Sequence, residues 1–339
     1  MSFVGRGRWR LSLAVGLAAF LGACGGGGGG STGEPAPGVR ERPLALTQQN
    51  LGGASAAPSG AVETLLQFGQ LAVDHTNRLI SQAAARPLAE TCPNGGLVTT
   101  TLLDDDLDGR PSAGDRLTVE WRDCGVLLIG FVLNGTMVVD LASVGSGPSR
   151  LLGALDLGGG VFVTDSTGSA PGLNAVFRGS LGFDWTRTDF RTSLRVESTL
   201  VDDFRLEFPA GGRIFTEAMR AFGVSKELHY DEARSVVSFA LRLESDSLGG
   251  SVTATTPRAL RSYLNTYTEE GSVEVRGADT ALIRSARTSS PATSATSPNS
   301  TPMVTAALKP EDRWPGSTRS RVISGGMEPR VWGGRRSPM

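Results

Sequence analysis

The sequence holds little of the chemistry on which most enzyme sites depend. Only two of the 339 residues are histidine and three are cysteine, and neither His75 nor His229 stands at ligand spacing from a cysteine. A zinc site built from imidazole and thiolate is therefore disfavoured. The sequence contains no His-Glu-x-x-His motif and no phosphate-binding glycine loop, and no Gly-x-Ser-x-Gly precedes a predicted helix. No catalytic class follows from its motifs.

Excess charge and long apolar runs are missing as well. The formal net charge is −1 at pH 7, and Lys226 and Lys309 are the only lysines. Nothing in this distribution indicates a nucleic-acid partner or a basic membrane-binding patch. The most apolar stretch, residues 11–23, spans only about 20 Å as a helix, which is short of the roughly 30 Å hydrocarbon core of a bilayer.

The N-terminus has the pattern of an export signal. Three arginines within the first ten residues precede the short apolar stretch 11–23. That stretch ends in Leu21, Gly22, Ala23 and Cys24, which resembles the lipobox of bacterial lipoproteins: an aliphatic residue, two small residues and the cysteine that receives the lipid. An ordinary signal peptide with a chance cysteine and a spurious start remain the alternatives.

The resemblance implies a processed and anchored protein. Residues 1–23 would be removed as a signal peptide, and Cys24 would become the acylated N-terminus, so that the membrane is a partner through this lipid. Gly25 in place of aspartate favours the outer membrane, if the cell has one. Residues 24–58, which include six consecutive glycines, are predicted to form a flexible tether.

The two remaining cysteines suggest a disulfide. With Cys24 assigned to the lipid, Cys92 and Cys124 form an even pair, and an oxidising compartment favours their oxidation. Metal ligation and a reactive thiol are the alternatives.

Periodicity predicts one helix followed by many strands. Apolar residues recur at helical spacing between Val62 and Ala84, with Ser59 as the N-cap and Pro87 as the stop. Asp74 and His75 are expected on or beside its solvated face. Beyond Cys92, short β-branched segments separated by turn residues predict an antiparallel sheet, with Asn134-Gly135 as its strongest hairpin signal. The segment 212–224 stays ambiguous between a short helix and a hairpin, and the segment 257–267 is expected to form a helical turn before the next strand.

The expected fold is mainly β: a large, curved antiparallel sheet, either an open barrel or a sandwich, with one N-terminal amphipathic helix and disordered termini. This β-rich domain is placed at residues 59–288. Residues 289–339 begin with a Ser/Thr/Pro/Ala tract and continue rich in arginine without alternation. They are interpreted as a disordered tail or as the product of a shifted reading frame.

An acidic loop between two predicted strands is the one candidate metal site. It resembles the twelve-residue calcium loop of EF-hand proteins, with glycine at its sixth position. The expected ligands are Asp104, Asp106, Asp108, the carbonyl of Arg110, Ser112 and Asp115. An exposed acidic turn without metal is the alternative. The strand-like flanks and the aspartate at position twelve depart from the helix-loop-helix pattern.

Together these features indicate a membrane-anchored protein without a recognisable catalytic set. The lipobox, the glycine tether and the cysteine-flanked hairpin resemble uncharacterised β-rich lipoproteins of Gram-negative bacteria, a likeness that implies no activity. A binding or structural module of the cell envelope, with an unidentified ligand or envelope partner, is expected. The alternatives are a lipid or lipoprotein carrier and an envelope hydrolase using His229 or the acids at 202–203 and 231–232.

Overall fold

The computed structural model describes residues 40–82, 87–126, 131–145, 149–165, 174–200, 202–210, 212–263, 268–278, 282–287 and 304–307. The predicted signal peptide, Cys24 and most of the predicted tail lie outside these residues. The described chain contains one helix, α1 (Leu51–Gln82), and sixteen strands.

The strands follow one another along the chain, and all are paired in a single antiparallel sheet. They are β1 Leu88–Thr91, β2 Leu97–Leu103, β3 Arg116–Val126, β4 Phe131–Val144, β5 Arg150–Asp156, β6 Val161–Asp165, β7 Asn174–Arg178, β8 Ser180–Arg187, β9 Arg191–Ser198, β10 Phe204–Ala210, β11 Arg213–His229, β12 Arg234–Ser245, β13 Gly250–Tyr263, β14 Thr268–Arg276, β15 Leu282–Arg287 and β16 Val304–Ala307. The prediction of a mainly β fold with one helix is confirmed.

Two long strands, β4 with 14 residues and β11 with 17, allow the sheet to close into a ring. Along one edge β4 pairs with β6 at its start and with β5 at its end. In the same way β11 pairs with β10 at its start and with β9 at its end. The pairings β5–β8–β9 and β6–β7–β10 complete a ring of eight strands between them. Strands β1 to β3 and β12 to β16 extend the sheet outward from β4 and β11.

Helix α1 belongs to the core of the molecule. The Phe68 ring lies 5.0 Å from that of Phe177 on β7 and 5.3 Å from that of Phe204 on β10. Gly69 lets the helix approach β9, since a Cβ there would lie 2.5 Å from Val196 Cγ1. Leu65 and Ala72 are fully buried. The helix is therefore fixed by apolar contacts to strands on both sides of the ring.

The domain begins earlier than the sequence suggested. The helix starts at Leu51 rather than after Ser59, and Pro58 lies inside it. Before the helix, buried Leu44 donates its backbone N–H to the carbonyl of Ser251 at 2.8 Å. The described part of the predicted tether, residues 40–58, therefore belongs to the folded domain despite its glycines and prolines. At the other end, Val304–Ala307 pairs with β15 inside the predicted tail.

Two local predictions were wrong. Asn134 and Gly135 do not form a hairpin turn but lie within β4. Gly135 has φ of +131°, and a Cβ there would come within 2.3 Å of the Gly160 carbonyl oxygen, so the close strand contact requires glycine. The segment 257–263, for which a helical turn was considered, continues β13 through register shifts on either side of Arg258.

Candidate functional site

The predicted cysteine pair is joined. Cys92 and Cys124 form a disulfide with their Cα atoms 5.3 Å apart. Nearby, the Asn94 N–H donates to the Gly125 carbonyl at 3.2 Å, and the Gly125 N–H donates to the Gly95 carbonyl at 2.9 Å. The disulfide thus closes a loop of chain that contains β2, the acidic loop and most of β3.

The acidic loop connects β2 to β3 and brings its three alternate aspartates together. Carboxylate oxygens of Asp104, Asp106 and Asp108 all lie within 4.8 Å of one another. Gly109 adopts φ of +77° and donates its backbone N–H to Asp104 Oδ2 at 2.6 Å. The glycine thus makes the sharp turn that the spacing predicted, and the carboxylates converge on its inner side.

The other predicted ligands take different positions. Ser112 joins the cluster, because its hydroxyl donates to Asp106 Oδ2 at 3.2 Å. Arg110 follows the glycine and donates its backbone N–H to Asp108 Oδ1 at 2.7 Å. Asp115 is buried, and its two oxygens accept the backbone N–H groups of Asp105 at 3.0 Å and Ser112 at 2.7 Å. Asp115 therefore stabilises the conformation of the loop through these two hydrogen bonds.

The electrostatics of the cluster suit a cation. Desolvation raises the pKa of Asp104, but hydrogen bonds from Gly109 and from neighbouring groups outweigh it and lower that pKa overall. At Asp106 the Asp108 N–H lowers the pKa, while the contact with Asp104, burial and the charge of Asp108 together raise it above its usual value. Asp104 Oδ1 is a buried atom without a hydrogen-bond partner. Hard oxygens at this spacing are ligands that Ca²⁺ accepts.

A groove that the sequence did not reveal lies between α1 and strands β9 and β11. Its volume is about 70 Å³, or about 600 Å³ when the solvent at its open side is included. Leucines on both sides supply its apolar surface, namely Leu66, Leu71, Leu194 and Leu228. Glu63, Gln67, Gln70, Asp74, Thr192 and Lys226 supply polar groups along it.

The polar groups of the groove are ordered by their own contacts. Gln67 bonds Glu63 at 3.3 Å, and Gln70 bonds Asp74 at 2.7 Å, one helical turn apart in each case. Burial raises the pKa of Asp74, opposed by the Gln70 hydrogen bond and by the charge of Arg78. The groove is thus an apolar channel bordered by carboxamides and carboxyls on its helix side.

The backbone groups on the strand side of the groove are occupied. Within the sheet, Leu194 pairs with Lys226 and Thr192 pairs with Leu228 in the β9–β11 register. Because β9 and β11 bond to each other here, an occupant meets side chains and no free strand edge. The sequence held one signal of this groove. Strand alternation places Lys226, one of only two lysines, on the same face of β11 as Leu228.

His75 lies in a different environment from the one predicted. It is buried rather than on a solvated helix face, with Nδ1 3.1 Å from Thr100 Oγ1 and its ring edge-on to Trp121. Burial, helped by the charge of Arg78, lowers the pKa of His75 to about 3. The imidazole is therefore a neutral member of the core that joins α1 to β2 and β3.

The groups considered for acid–base catalysis do not converge in the described part of the chain. His229 stands at the end of β11, with Nε2 3.3 Å from Glu227. Asp203 pairs with Arg220 at 2.6 Å, and Glu232 pairs with Arg234 at 3.5 Å on the β11–β12 turn. Both acids are thus ion-paired, and Arg220 also lies 3.4 Å from Glu244.

Comparison with protein-family models, curated proteins and solved structures gave no match to this chain. Within the described ranges, no helix combines the length and the apolar character needed to cross a membrane.

Proposed function

We propose that the chain is a lipid-anchored binding module of the bacterial cell envelope, and that it binds an apolar chain in the groove between α1 and strands β9 and β11. The observation that carries the proposal is this groove, with leucines on both sides and a polar border. The lipobox at Cys24 supports export and anchoring, and the outer membrane is the proposed location.

The character of the groove favours a hydrocarbon over a peptide. Extended peptides that join a sheet are held largely by backbone hydrogen bonds at a free strand edge. The groove offers no such edge, since Leu194 and Leu228 lie on strands already paired with each other. An aliphatic chain needs only apolar contact, and burial contributes about 0.8 kcal/mol per CH₂ group.

The packing of α1 favours a binding module with a fixed groove over a lipid carrier that opens by releasing its helix. Release would expose Leu65, Phe68 and Ala72, which are at most 4% exposed. It would also separate His75 from Thr100 and Trp121. An occupant therefore enters from the open side of the groove while the helix stays in place. A hydrolase is not favoured, because His229 stands at a strand end beside Glu227 and does not line the groove.

A fluorescence titration tests the groove. The full chain is titrated with a polyene fatty acid whose emission rises in apolar surroundings. Gln67→Trp places a large side chain at the groove, whereas Ser81→Trp places it on exposed helix surface near the end of α1. We expect saturable binding that Gln67→Trp abolishes and Ser81→Trp preserves. Equal binding by both variants, or none by the wild type, would contradict the assignment.

Anchoring has its own test, which does not depend on the groove. Cells that express the chain are labelled with radioactive palmitate, and the purified protein is examined for the label. We expect incorporation into the wild type and none into Cys24→Ser. Label in both proteins, or in neither, would reject the lipobox assignment.

For the acidic loop we propose a weak structural calcium site. Asp104, Asp106, Asp108 and Ser112 would supply ligands, and the ion would neutralise carboxylates that otherwise repel one another. Its contribution would be stability of the β2–β3 connection, at affinities near those of extracellular calcium modules.

A further inference from the structure

The hairpin formed by β10 and β11 ends in an exposed apolar tip. The hairpin tip is defined as residues 208–210 and 212–215, paired as Phe208 with Phe215, Pro209 with Ile214 and Ala210 with Arg213. In the described residues, the register of β7 reaches only Glu207 on β10, and that of β12 reaches only Glu217 on β11. Among the residues that the structure describes, the tip therefore lies outside the pairing with both neighbouring strands.

The composition of the tip is unusual for a surface in water. Ile214 is 72% exposed, and Pro209 and Ala210 are exposed beside it. The neighbouring pair differs, because Phe208 is only 3% exposed and its ring stacks on that of half-buried Phe215, with the ring centres 5.7 Å apart. Arg213 is the one charged residue of the tip, and its guanidinium lies 5.3 Å from the centre of the Phe215 ring. Apolar side chains with an arginine of this kind suit the interface of a bilayer, where the stem is buried and the charge reaches the headgroups.

The N-terminal chain enters the domain at the base of the same hairpin. Arg40, the first described residue, pairs with Asp246 at 3.7 Å. Asp246 in turn exchanges hydrogen bonds with the backbone of Thr216, accepting from its N–H at 2.9 Å and donating to its carbonyl at 3.0 Å. Thr216 directly follows the tip along β11.

This placement favours one end of the domain at the membrane. The chain between Cys24 and Arg40 spans at most about 55 Å even when fully extended. β11 has 17 residues and is about 55 Å long, and it carries the tip at its start and the β11–β12 turn at its other end. Contact through the opposite end would thus need an almost fully extended tether, whereas a flexible chain of this length averages about 20–24 Å from end to end. An anchor on Cys24 therefore favours the end with the tip at the bilayer.

We propose that the hairpin tip inserts into the lipid interface of the membrane that holds Cys24, so that the domain stands on the bilayer in one orientation. The inference rests on the proposed lipid anchor and is independent of what the groove binds. Ile214, Pro209 and Ala210 supply the inserted apolar surface, and Arg213 meets the headgroups. The lipid and the tip together give two attachments, which hold a domain more firmly than one.

The test places a tryptophan at each end of the domain. Acylated full chain carrying Ile214→Trp or Phe190→Trp is reconstituted into phosphatidylcholine vesicles with plain or brominated acyl chains. Phe190 is a matched control, because it is 66% exposed and lies in the β8–β9 turn at the opposite end of the sheet. The emission of the unsubstituted protein is subtracted. We expect brominated lipid to quench Ile214→Trp and to leave Phe190→Trp unchanged.

Flotation of the same samples reports the anchor separately. Protein that floats with its vesicles but shows equal quenching, or none, at the two positions keeps the anchor and overturns the docking. Quenching confined to Phe190→Trp would overturn the docking by placing the opposite end on the membrane. Protein that does not float would overturn both the anchor and the docking that rests on it.

Discussion

Asn134 holds Asp123 in a left-handed backbone conformation. Asn134 Oδ1 accepts the Asp123 backbone N–H at 2.8 Å, and Asn134 Nδ2 donates to Asp123 Oδ1 at 3.2 Å. Asp123 has φ of +48° and lies where the β3–β4 register shifts between Trp121 and Cys124. The asparagine thus fixes a β-bulge next to the disulfide, where an extra residue must be accommodated in one strand.

Replacing Asn134 by alanine should destabilise the protein by about 2 kcal/mol. Two hydrogen bonds are lost, and Asp123 keeps its strained backbone without the contact that offsets it. The measurement is the free energy of unfolding in urea. Asp123→Gly is the companion variant, because glycine adopts positive φ without strain, and it should cost less than Asn134→Ala. A stability of Asn134→Ala equal to that of the wild type would refute this role.

Asn134 and the elements around it show which features could be predicted from the sequence and which could not. Alternation predicted the strands because each has one buried face, a local property. The Asn-Gly step also signalled positive φ, but the place of Gly135 inside β4, against Gly160, depends on pairing with β6. The calcium-like spacing predicted convergence of Asp104, Asp106 and Asp108 because it lies within one loop. The groove could not be predicted, since α1 and β9 meet only through the fold.

Calcium should stabilise the protein through the acidic loop. For dissociation constants of about 0.1–1 mM, about 10 mM Ca²⁺ raises the free energy of unfolding by roughly 1.4–2.7 kcal/mol. Asp106→Asn should abolish this gain, because Asp106 is one of the three converging carboxylates and also accepts the Ser112 hydroxyl. Thermal unfolding with Ca²⁺ and with excess chelator measures the effect.

The control for calcium is Asp231→Asn, which removes an exposed acid from the β11–β12 turn. It should respond to Ca²⁺ as the wild type does. A melting temperature of the wild type that is indifferent to Ca²⁺, or an undiminished gain in Asp106→Asn, would leave the loop as an acidic turn without metal.

Removing the disulfide should cost roughly 3–4 kcal/mol. Cys92 and Cys124 are separated by 32 residues, and the crosslink lowers the entropy of the unfolded chain. The double variant Cys92→Ala/Cys124→Ala is compared with the wild type by urea unfolding, with and without reductant. Reductant should weaken the wild type and leave the double variant unchanged. Equal stability of the oxidised and reduced wild type would contradict this contribution.

His75 should make the protein sensitive to mild acid. Burial and Arg78 lower the pKa of folded His75 from 6.5 to about 3, so the unfolded chain binds the additional proton between these values. Its contribution to stability is complete above pH 6.5 and is lost as the pH falls toward 3. His75→Gln should flatten the fall in unfolding free energy between pH 6.5 and 4, whereas His229→Gln, at a strand end, should retain it. Identical slopes for the wild type and His75→Gln would disprove the assignment.

Glu217 should lower the stability of the protein as the pH rises, the opposite of the effect of His75. Burial, together with the charge of Asp246, raises its pKa from 4.5 to about 7 against hydrogen bonds from Ser245 and Ser247. The folded state therefore binds the proton more tightly, and this stabilisation, complete below pH 4.5, is lost as the pH rises through 7. Glu217→Gln stays neutral and should be more stable than the wild type at pH 8, by about 2 kcal/mol, but not at pH 5. Urea unfolding at both pH values measures the difference, with Glu232→Gln on the exposed β11–β12 turn as the control. A gain that is the same at pH 5 and pH 8 would show that the carboxyl of Glu217 does not titrate in this range.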